Sequence, residues 1–354
     1  MLEVRCSGTP YEIGHQHGAS AKKQVHGSLA FYRQLFKSTC SMEWDDVTRE
    51  AATYVNSLES TCPQYLDELR GLAAGAEAPF LDILALNVRT EITFGLFTEN
   101  AKADVKLDGC TSLGFKKSTG ESYLCQNWDW QVEQSPNIFL CRVSQPGTGL
   151  PDFAMVTEGG LIGKIGMNAN GVGVCLNAIR ARGLDRSKLP VHFALRKVLE
   201  SSSRAEAIQT LKSLGVAGSA HILVSDATGS TGLECTSIGI KELQMDADGV
   251  VVHANHLLLD HPGVDEPGWL PDSSYRVTRL QALLKQTDLS GLDFDSFFEL
   301  FKDEDGFPGS INRCQQDGCA TQTLFTILMN LAAKRALITF GRPSAFTDRV
   351  EVVF

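Results

Sequence analysis

The feature that most constrains this chain is a change of period at Gly109-Cys110. Ahead of it, apolar residues recur at helical spacing, with start signals at Thr9-Pro10 and at Pro63. That pattern predicts helices over 11–37, 45–59, 63–76 and 79–91, then an exposed linker over 95–109. Behind it, CTSLGF and SYLCQNWDW flank the turn Ser118-Thr119-Gly120-Glu121 and read as a hairpin. NIFLCRVS, FAMVTEG, LIGKIGMN and VGVCLNAI continue as strands, with Asn170-Gly171 turning between the last two. Helices over 190–200 and 203–214 follow, then strands AHILVSD, TGLECTS, IKELQMD and VVHANH. Helices over 272–286 and 293–302 precede a closing hairpin of TLFTILMN and RALITFG. Strands and helices in blocks, without βαβ alternation, predict an α+β chain of layered sheets with helices outside.

Composition narrows the function. The 354 residues are 43% hydrophobic and 21% charged, enough for one large core or two domains. A net charge of −10 with no long basic cluster argues against nucleic-acid partners and anionic membranes. No apolar run approaches the ~18 residues of a membrane span. MLEVRCSGTPYEIG has no apolar signal-peptide core, and RVEVVF is no peroxisomal, retention or prenylation signal. Ten scattered cysteines without a C-x-x-C read as thiols, so the expected location is cytoplasmic. The pairs His15/His17 and His253/His256 lack companions at zinc spacing, so no metal is expected.

Chemistry centres on Cys110. A helical segment that ends at Gly-Cys and gives way to sheet suits a nucleophile released as a new N-terminus. Cleavage at Gly109–Cys110 would give Cys110 a thiol and a free α-amine, which titrates near ~8 and can take the thiol proton. A lone cysteine opening a strand is otherwise a small buried hydrophobe, so the surroundings decide. Asp129, on the hairpin partner strand, is in reach of Cys110 across ~5 Å. It could accept from the α-ammonium or be a solvated Asp between Trp128 and Trp130. Asn255 ends VVHAN and Asn177 ends VGVCLN. An amide donor there could stabilise an oxyanion, worth about 3–4 kcal/mol, or serve ordinary turn chemistry. The glycine-dense run 159–166 matches no nucleotide loop and reads as a sheet segment leaving room for substrate.

Several motifs in one order resemble a known family. They are Gly8-Thr9-Pro10-Tyr11-Glu12-Ile13-Gly14 with His17-Gly18, and Leu86-Asn87-Val88-Arg89-Thr90-Glu91. Asp108-Gly109-Cys110-Thr111, Gln126-Asn127-Trp128-Asp129, Thr157-Glu158-Gly159-Gly160 and Gly163-Lys164-Ile165-Gly166-Met167-Asn168 follow. Val252-His253-Ala254-Asn255-His256, Asp303-Glu304-Asp305 and Gly341-Arg342-Pro343 complete the set. From about residue 5 to 345 the chain resembles the acyl-coenzyme A:6-aminopenicillanate (isopenicillin N) acyltransferases. These are cysteine N-terminal-nucleophile (Ntn) hydrolases of the peptidase C45 group, active in secondary metabolism and related to choloylglycine hydrolases.

The resemblance implies a four-layer αββα sandwich of two stacked antiparallel sheets. It implies self-cleavage at Gly109–Cys110 into segments 1–109 and 110–354 that stay associated as one integrated domain. Cys110 is implied as nucleophile, Asp129 as its support, Asn255 as oxyanion donor and Asn177 as a further site asparagine. The expected activity is hydrolysis or transfer of small N-acyl amides or peptides through a Cys110 thioester. No cofactor is expected, with acyl-coenzyme A admitted as an acyl-donor co-substrate. Arg89 and Glu91, read as closing a helix before the linker, are expected to make polar substrate contacts beside Thr111, Arg89 holding a carboxylate. The alternative for that pair is an exposed surface ion pair.

Three departures stand out. Cys319-Ala320-Thr321-Gln322-Thr323 replaces a Ser-Arg-Gly-Ala-Thr stretch, and Arg313 matches a different family arginine. Gln126 stands where choloylglycine hydrolases have arginine, and the peroxisomal tail of the penicillin enzymes is missing, which argues against penicillin biosynthesis itself. The lost arginine motivates a competing reading, a self-cleaved binding module without turnover. A papain-like pairing of Cys110 with His253 or His256 is a further alternative that needs no cleavage.

Overall fold

The computed structural model describes residues 1–96, 109–316 and 319–354. Residues 97–108 of the linker expected over 95–109 lie outside the described residues.

The chain opens with a strand, β1 (Glu3–Ser7), that the periodicity does not reveal. Seven helices follow: α1 (Pro10–Ser20), α2 (Lys22–Cys40), α3 (Trp44–Ala52), α4 (Val55–Thr61), α5 (Pro63–Ala76), α6 (Phe80–Asn87) and α7 (Arg89–Gly95). Thr9 caps α1 in a reciprocal box with Glu12, and Pro10 and Pro63 occupy first-turn positions where their missing N–H is harmless. Three of the expected helices are corrected. The helix over 11–37 breaks at Ala21, the one over 45–59 at Thr53-Tyr54, and the one over 79–91 at Val88. Ala21 and Val88 leave helical geometry with ψ of 27° and 16°, and no Pro or Gly marks either break. Arg89 and Glu91 therefore open a helix instead of closing one.

α1 and α5 cross with their backbones almost touching. A Cβ at Gly14 would sit 1.8 Å from the Glu68 carbonyl oxygen, and one at Gly71 would sit 2.0 Å from that of Tyr11. Gly18 and Gly75 repeat the pattern one turn on, so the crossing depends on two Gly-x-x-x-Gly stripes.

The remainder builds two sheets. The strands are β2 (Thr111–Lys116), β3 (Ser122–Trp130), β4 (Ile138–Ser144), β5 (Phe153–Glu158), β6 (Ile165–Asn168) and β7 (Gly173–Ala178). After α8 (Val191–Leu199) and α9 (Arg204–Leu214) come β8 (Ala220–Asp226), β9 (Gly229–Cys235), β10 (Ile240–Gln244) and β11 (Val250–His253). Then α10 (Asp272–Lys285) and α11 (Phe294–Phe301) precede β12 (Gln322–Asn330), β13 (Arg335–Phe340) and β14 (Asp348–Val353). One sheet runs β1-β4-β5-β6-β7-β8-β9-β10, and the other β11-β2-β3-β12-β13-β14. All pairings are antiparallel except β1 with β4, and β14 was not anticipated.

The sheets stack through β2 and β3 against β7, β8 and β9. Helices α8 and α9 cover the eight-stranded sheet, while α10 and α11 cover the six-stranded one. The result is an α+β sandwich of four layers, as expected. A large apolar core joins Leu124, Trp128 and Ile327 to Val174 and Ile222 and on to the helices of residues 1–96. A smaller one, around Leu113, Phe115, Leu280 and Phe297, fills the space under α10 and α11.

Only Ile165–Asn168 of LIGKIGMN is strand, and the glycine run does not open space for substrate. A Cβ at Gly159 would sit 2.3 Å from the Gln24 carbonyl carbon, and one at Gly163 would sit 2.0 Å from the His192 carbonyl oxygen. These glycines let α2 and α8 close onto the sheet.

Candidate active site

Cys110 immediately precedes β2, an inner strand of its sheet, and is fully buried. The β2–β3 register sets Thr111 opposite Asn127, so the end of β3 lies alongside the cysteine. The backbone N–H of Asp129 donates to Cys110 Sγ at 3.3 Å, and the thiol in turn faces the Asp129 carbonyl oxygen at 3.7 Å, so the Asp129 backbone holds the sulfur through both its polar groups. Asp129 is fully buried, and its carboxylate is electrostatically coupled to Arg276 and Arg313.

The Cys110 carbonyl is held from two directions. Arg276 Nη1 donates to it at 2.7 Å and Asn177 Nδ2 at 3.1 Å. Arg276 Nη1 also donates to Thr111 Oγ1 at 3.0 Å, and Nη2 donates to Asn255 Oδ1 at 2.8 Å. One guanidinium thus links three of the residues singled out in the sequence, Cys110, Thr111 and Asn255. Asn255 directs its amide N–H to the Ala178 carbonyl at 3.0 Å, so its route to Cys110 runs through Arg276. Arg313 packs against Gly109: a Cβ there would be 2.5 Å from its Cδ. Its Nε donates to Thr321 Oγ1 at 2.8 Å and its Nη2 to Asp272 at 2.9 Å. Burial raises the Asp272 carboxyl, but the two arginines more than reverse this and hold it below its ordinary value.

Arg276 was missed in the sequence, although a signal was present. It shares the buried face of α10 with Ser273, Val277, Leu280 and Leu284, where a charged residue needs partners. Ala320 replaces the family arginine, yet Arg276 and Arg313 bring two guanidinium groups to the Gly109–Cys110 junction. Gln126 accepts from Leu176 N–H at 3.0 Å and donates to the Leu176 carbonyl, tying β3 to β7 across the sheets.

Arg89 and Glu91 lie in a second buried cluster, so the exposed-pair alternative is not what the structure holds. Arg89 Nη2 donates to Glu158 Oε2 at 2.6 Å, and Lys164 Nζ donates to the same oxygen at 2.7 Å. Tyr32 and Gln134 donate to the other oxygen. Burial raises the Glu158 carboxyl, and the two cations overcome that, holding it well below the usual range. Lys164, whose ammonium lies 4.2 Å from the Trp128 ring centre, is lowered to about 8, first by burial and then by Arg89. Glu91 accepts from Val191 N–H at the start of α8 at 2.7 Å, and burial pushes it up to about 7. Phe94 connects this region to the site through Trp130, with ring centres 6.2 Å apart, and Trp269, at 5.2 Å. Trp269 in turn donates to the Asn255 carbonyl at 3.3 Å.

His253 and His256 are placed elsewhere: His253 contacts Glu234 and His256 contacts Ser273. Among the described residues, no group of three or more His, Cys, Asp or Glu could hold a metal ion, and no helix is long and apolar enough to cross a membrane.

Stacked sheets between helical layers, with a cysteine leading into an inner strand, fit the acyl-transferring and amide-hydrolysing enzymes of the N-terminal-nucleophile type. The chain belongs to the Acyl-coenzyme A:6-aminopenicillanic acid acyl-transferase family, whose sequence profile matches residues 116–345. It is 37% identical over 349 residues to the acyl-coenzyme A:6-aminopenicillanic-acid-acyltransferase 40 kDa form of Emericella nidulans, spanning 97% of this chain and 94% of that protein. It is 23% identical over 221 residues to the beta-alanyl-dopamine/carcinine hydrolase of Drosophila melanogaster, covering 59% of this chain and 56% of that one. Among solved structures, a Caenorhabditis elegans ortholog of N-acylethanolamine-hydrolyzing acid amidase aligns with TM-score 0.48 and 16% identity, over 63% of this chain and 93% of that one. A variant conjugated bile acid hydrolase from Clostridium perfringens aligns with TM-score 0.48 and 16% identity, over 69% and 92% of the two chains.

Proposed function

We propose that this chain is a self-processing cysteine amidohydrolase or N-acyltransferase acting on small N-acyl amides or peptides. The observation that carries the proposal is the convergence of Asp129 N–H on Cys110 Sγ and of Arg276 and Asn177 on the Cys110 carbonyl. These contacts fix the nucleophile residue by its backbone as well as its thiol. In processing, Sγ attacks the Gly109 carbonyl carbon. A C–S bond forms, the Gly109–Cys110 C–N bond breaks, and the departing amine takes the thiol proton. Water then hydrolyses the ester, leaving a Gly109 carboxylate and restoring the thiol. Segments 1–109 and 110–354 remain together, since the apolar core runs through both.

In turnover the new α-amine accepts the thiol proton and the thiolate attacks the substrate carbonyl. The substrate amine leaves with that proton, and water or an acceptor amine resolves the thioester. Asp129 supports the α-ammonium, and Asn255, whose amide nitrogen has a second N–H beyond the one on the Ala178 carbonyl, serves the oxyanion. No cofactor is needed for these steps, and an acyl-coenzyme A could acylate Cys110 equally. The aromatic group Phe94, Trp130 and Trp269, drawn from both segments, is a suitable wall for the acyl chain. Arg89, whose guanidinium lies 5.3 Å from the Trp130 ring centre in that wall, is the proposed contact for a substrate carboxylate. Glu91 and Thr111 complete the proposed substrate contacts. The two guanidinium groups at the junction favour turnover over a binding module without it. Ten cysteines, all free thiols, suit a reducing compartment such as the cytoplasm.

The test is steady-state turnover of a panel of N-acyl amines and N-acyl amino acids by wild type and by Cys110→Ala. Turnover lost in the variant supports the proposal, and equal rates dismiss Cys110. Arg89→Ala should slow carboxylate-bearing substrates far more than their methyl esters, whereas equal losses dismiss the clamp.

A further inference from the structure

Asn177 can hold the Cys110 carbonyl only with its amide turned one way, and the sequence around it contains the means to fix that orientation. Because the Cys110 carbonyl oxygen only accepts, the atom facing it at 3.1 Å must be Asn177 Nδ2. Asn177 Oδ1 then receives two donors, Ser112 Oγ at 2.7 Å and His221 Nδ1 at 2.9 Å. The second contact dictates a tautomer, with the proton on Nδ1 and a bare Nε2. The surroundings of Nε2 agree. It is fully buried and has no hydrogen-bond partner among the described residues, and it faces the α-carbon of Gly232, where a Cβ would be 2.5 Å away.

A second ring holds the first in its neutral state. His253 stacks on His221 with ring centres 3.6 Å apart and planes 11° from parallel. Its Nδ1 faces the Ala254 carbonyl at 2.9 Å and its Nε2 faces Glu234 Oε1 at 2.9 Å. Both neighbours are acceptors, so both ring nitrogens of His253 are engaged away from His221. The Glu234 carboxylate also accepts from Leu258 N–H, Leu259 N–H and His261 Nε2. Burial opposes protonation of His221, and the His253 ring stacked on it acts in the same direction.

We propose that His221 is a positioning residue: its Nδ1–H, with the Ser112 hydroxyl, locks the Asn177 amide so that Nδ2 holds the Cys110 carbonyl for self-cleavage and acyl transfer. This rests on the function proposed above, with Asn177 and Cys110 in the site. His221 itself touches neither thiol nor scissile bond.

The test compares His221→Phe, His221→Asn and His221→Gln in the full chain, reading the rate of the Gly109–Cys110 break. Phe keeps the stacked ring without a donor, Asn retains an N–H near the Nδ1 position, and Gln places its N–H near Nε2. His221→Phe should slow cleavage by about tenfold or more, roughly the effect of one lost hydrogen bond in the transition state, and His221→Asn should restore most of that rate. His221→Gln should behave like His221→Phe. Wild-type cleavage in His221→Phe, or no advantage of Asn over Gln, overturns the proposal. A second measurement needs neither a folded variant nor cleavage: side-chain 15N shifts of histidine-labelled wild type. One buried neutral ring with its proton on Nδ1 is expected. Absence of the Nδ1–H tautomer overturns the proposal even if the chain cleaves itself, and its presence supports it even if cleavage is not observed.

Discussion

The Asp272 cluster and the Glu158 cluster each bury two cations around one carboxylate, but they end on different atoms. Arg276 and Arg313 share Asp272 and direct further donors to the Cys110 carbonyl, Thr111, Asn255 and Thr321. Arg89 and Lys164 converge on Glu158, which Tyr32 and Gln134 also reach, so this cluster binds helical residues to the end of β5, an inner strand. Burial of charge alone does not distinguish a site from a brace. The distinction lies in whether the donors reach the backbone of a reactive residue. On this account the first cluster governs chemistry, and the second governs stability and substrate charge.

The largest expected effect breaks the second cluster. Glu158→Gln removes the carboxylate that two buried cations share, and should destabilise the fold by about 3–5 kcal/mol. Thermal melts should show it, and an unchanged melting temperature would mean that the cluster is not a brace. Glu91, two residues from Arg89, sharpens the same contrast. Its folded pKa of about 7 exceeds the ordinary 4.5, so the folded state holds a proton that the unfolded chain releases. Stability from this group is complete below about pH 4.5 and is lost as pH rises through 7, by up to about 3 kcal/mol. Glu91→Gln should flatten that part of the stability–pH curve, and a parallel curve would contradict the assignment. The smallest expected effect is one on rate, at Arg276. Arg276→Met should lower kcat by about tenfold to a hundredfold with KM little changed, as for contacts used mainly in the transition state. A wild-type kcat would return Arg276 to a structural role.

Much of this arrangement was legible in the sequence where the signal is local. Thr9-Pro10 and Pro63 start helices as their chemistry demands, and the change of period at Gly109-Cys110 is the boundary between helical and sheet regions. Missed features depend on distant partners. β1 pairs with β4 through Val4 and Cys141, far apart in sequence, and no local period announces a parallel edge strand. The breaks at Ala21 and Val88 fall on residues that favour or tolerate helix, so packing set them. Gly14, Gly18, Gly71 and Gly75 did carry a readable signal, the paired small-residue stripes of two crossing helices. In the site, Cys110, Asp129, Asn177 and Asn255 were nameable because strand ends and a Gly-Cys junction are visible in order. Arg276 left only the trace of a charge on the apolar face of α10, and His221 left none, because it acts through a partner that only the fold supplies.

Intact mass with N-terminal sequencing of purified wild type and Cys110→Ala tests the central claim most directly. The account predicts that wild type separates under denaturing conditions into residues 1–109 and 110–354, the larger beginning at Cys110, and that Cys110→Ala stays one chain. A wild-type chain that remains whole while turning over N-acyl substrates would contradict it.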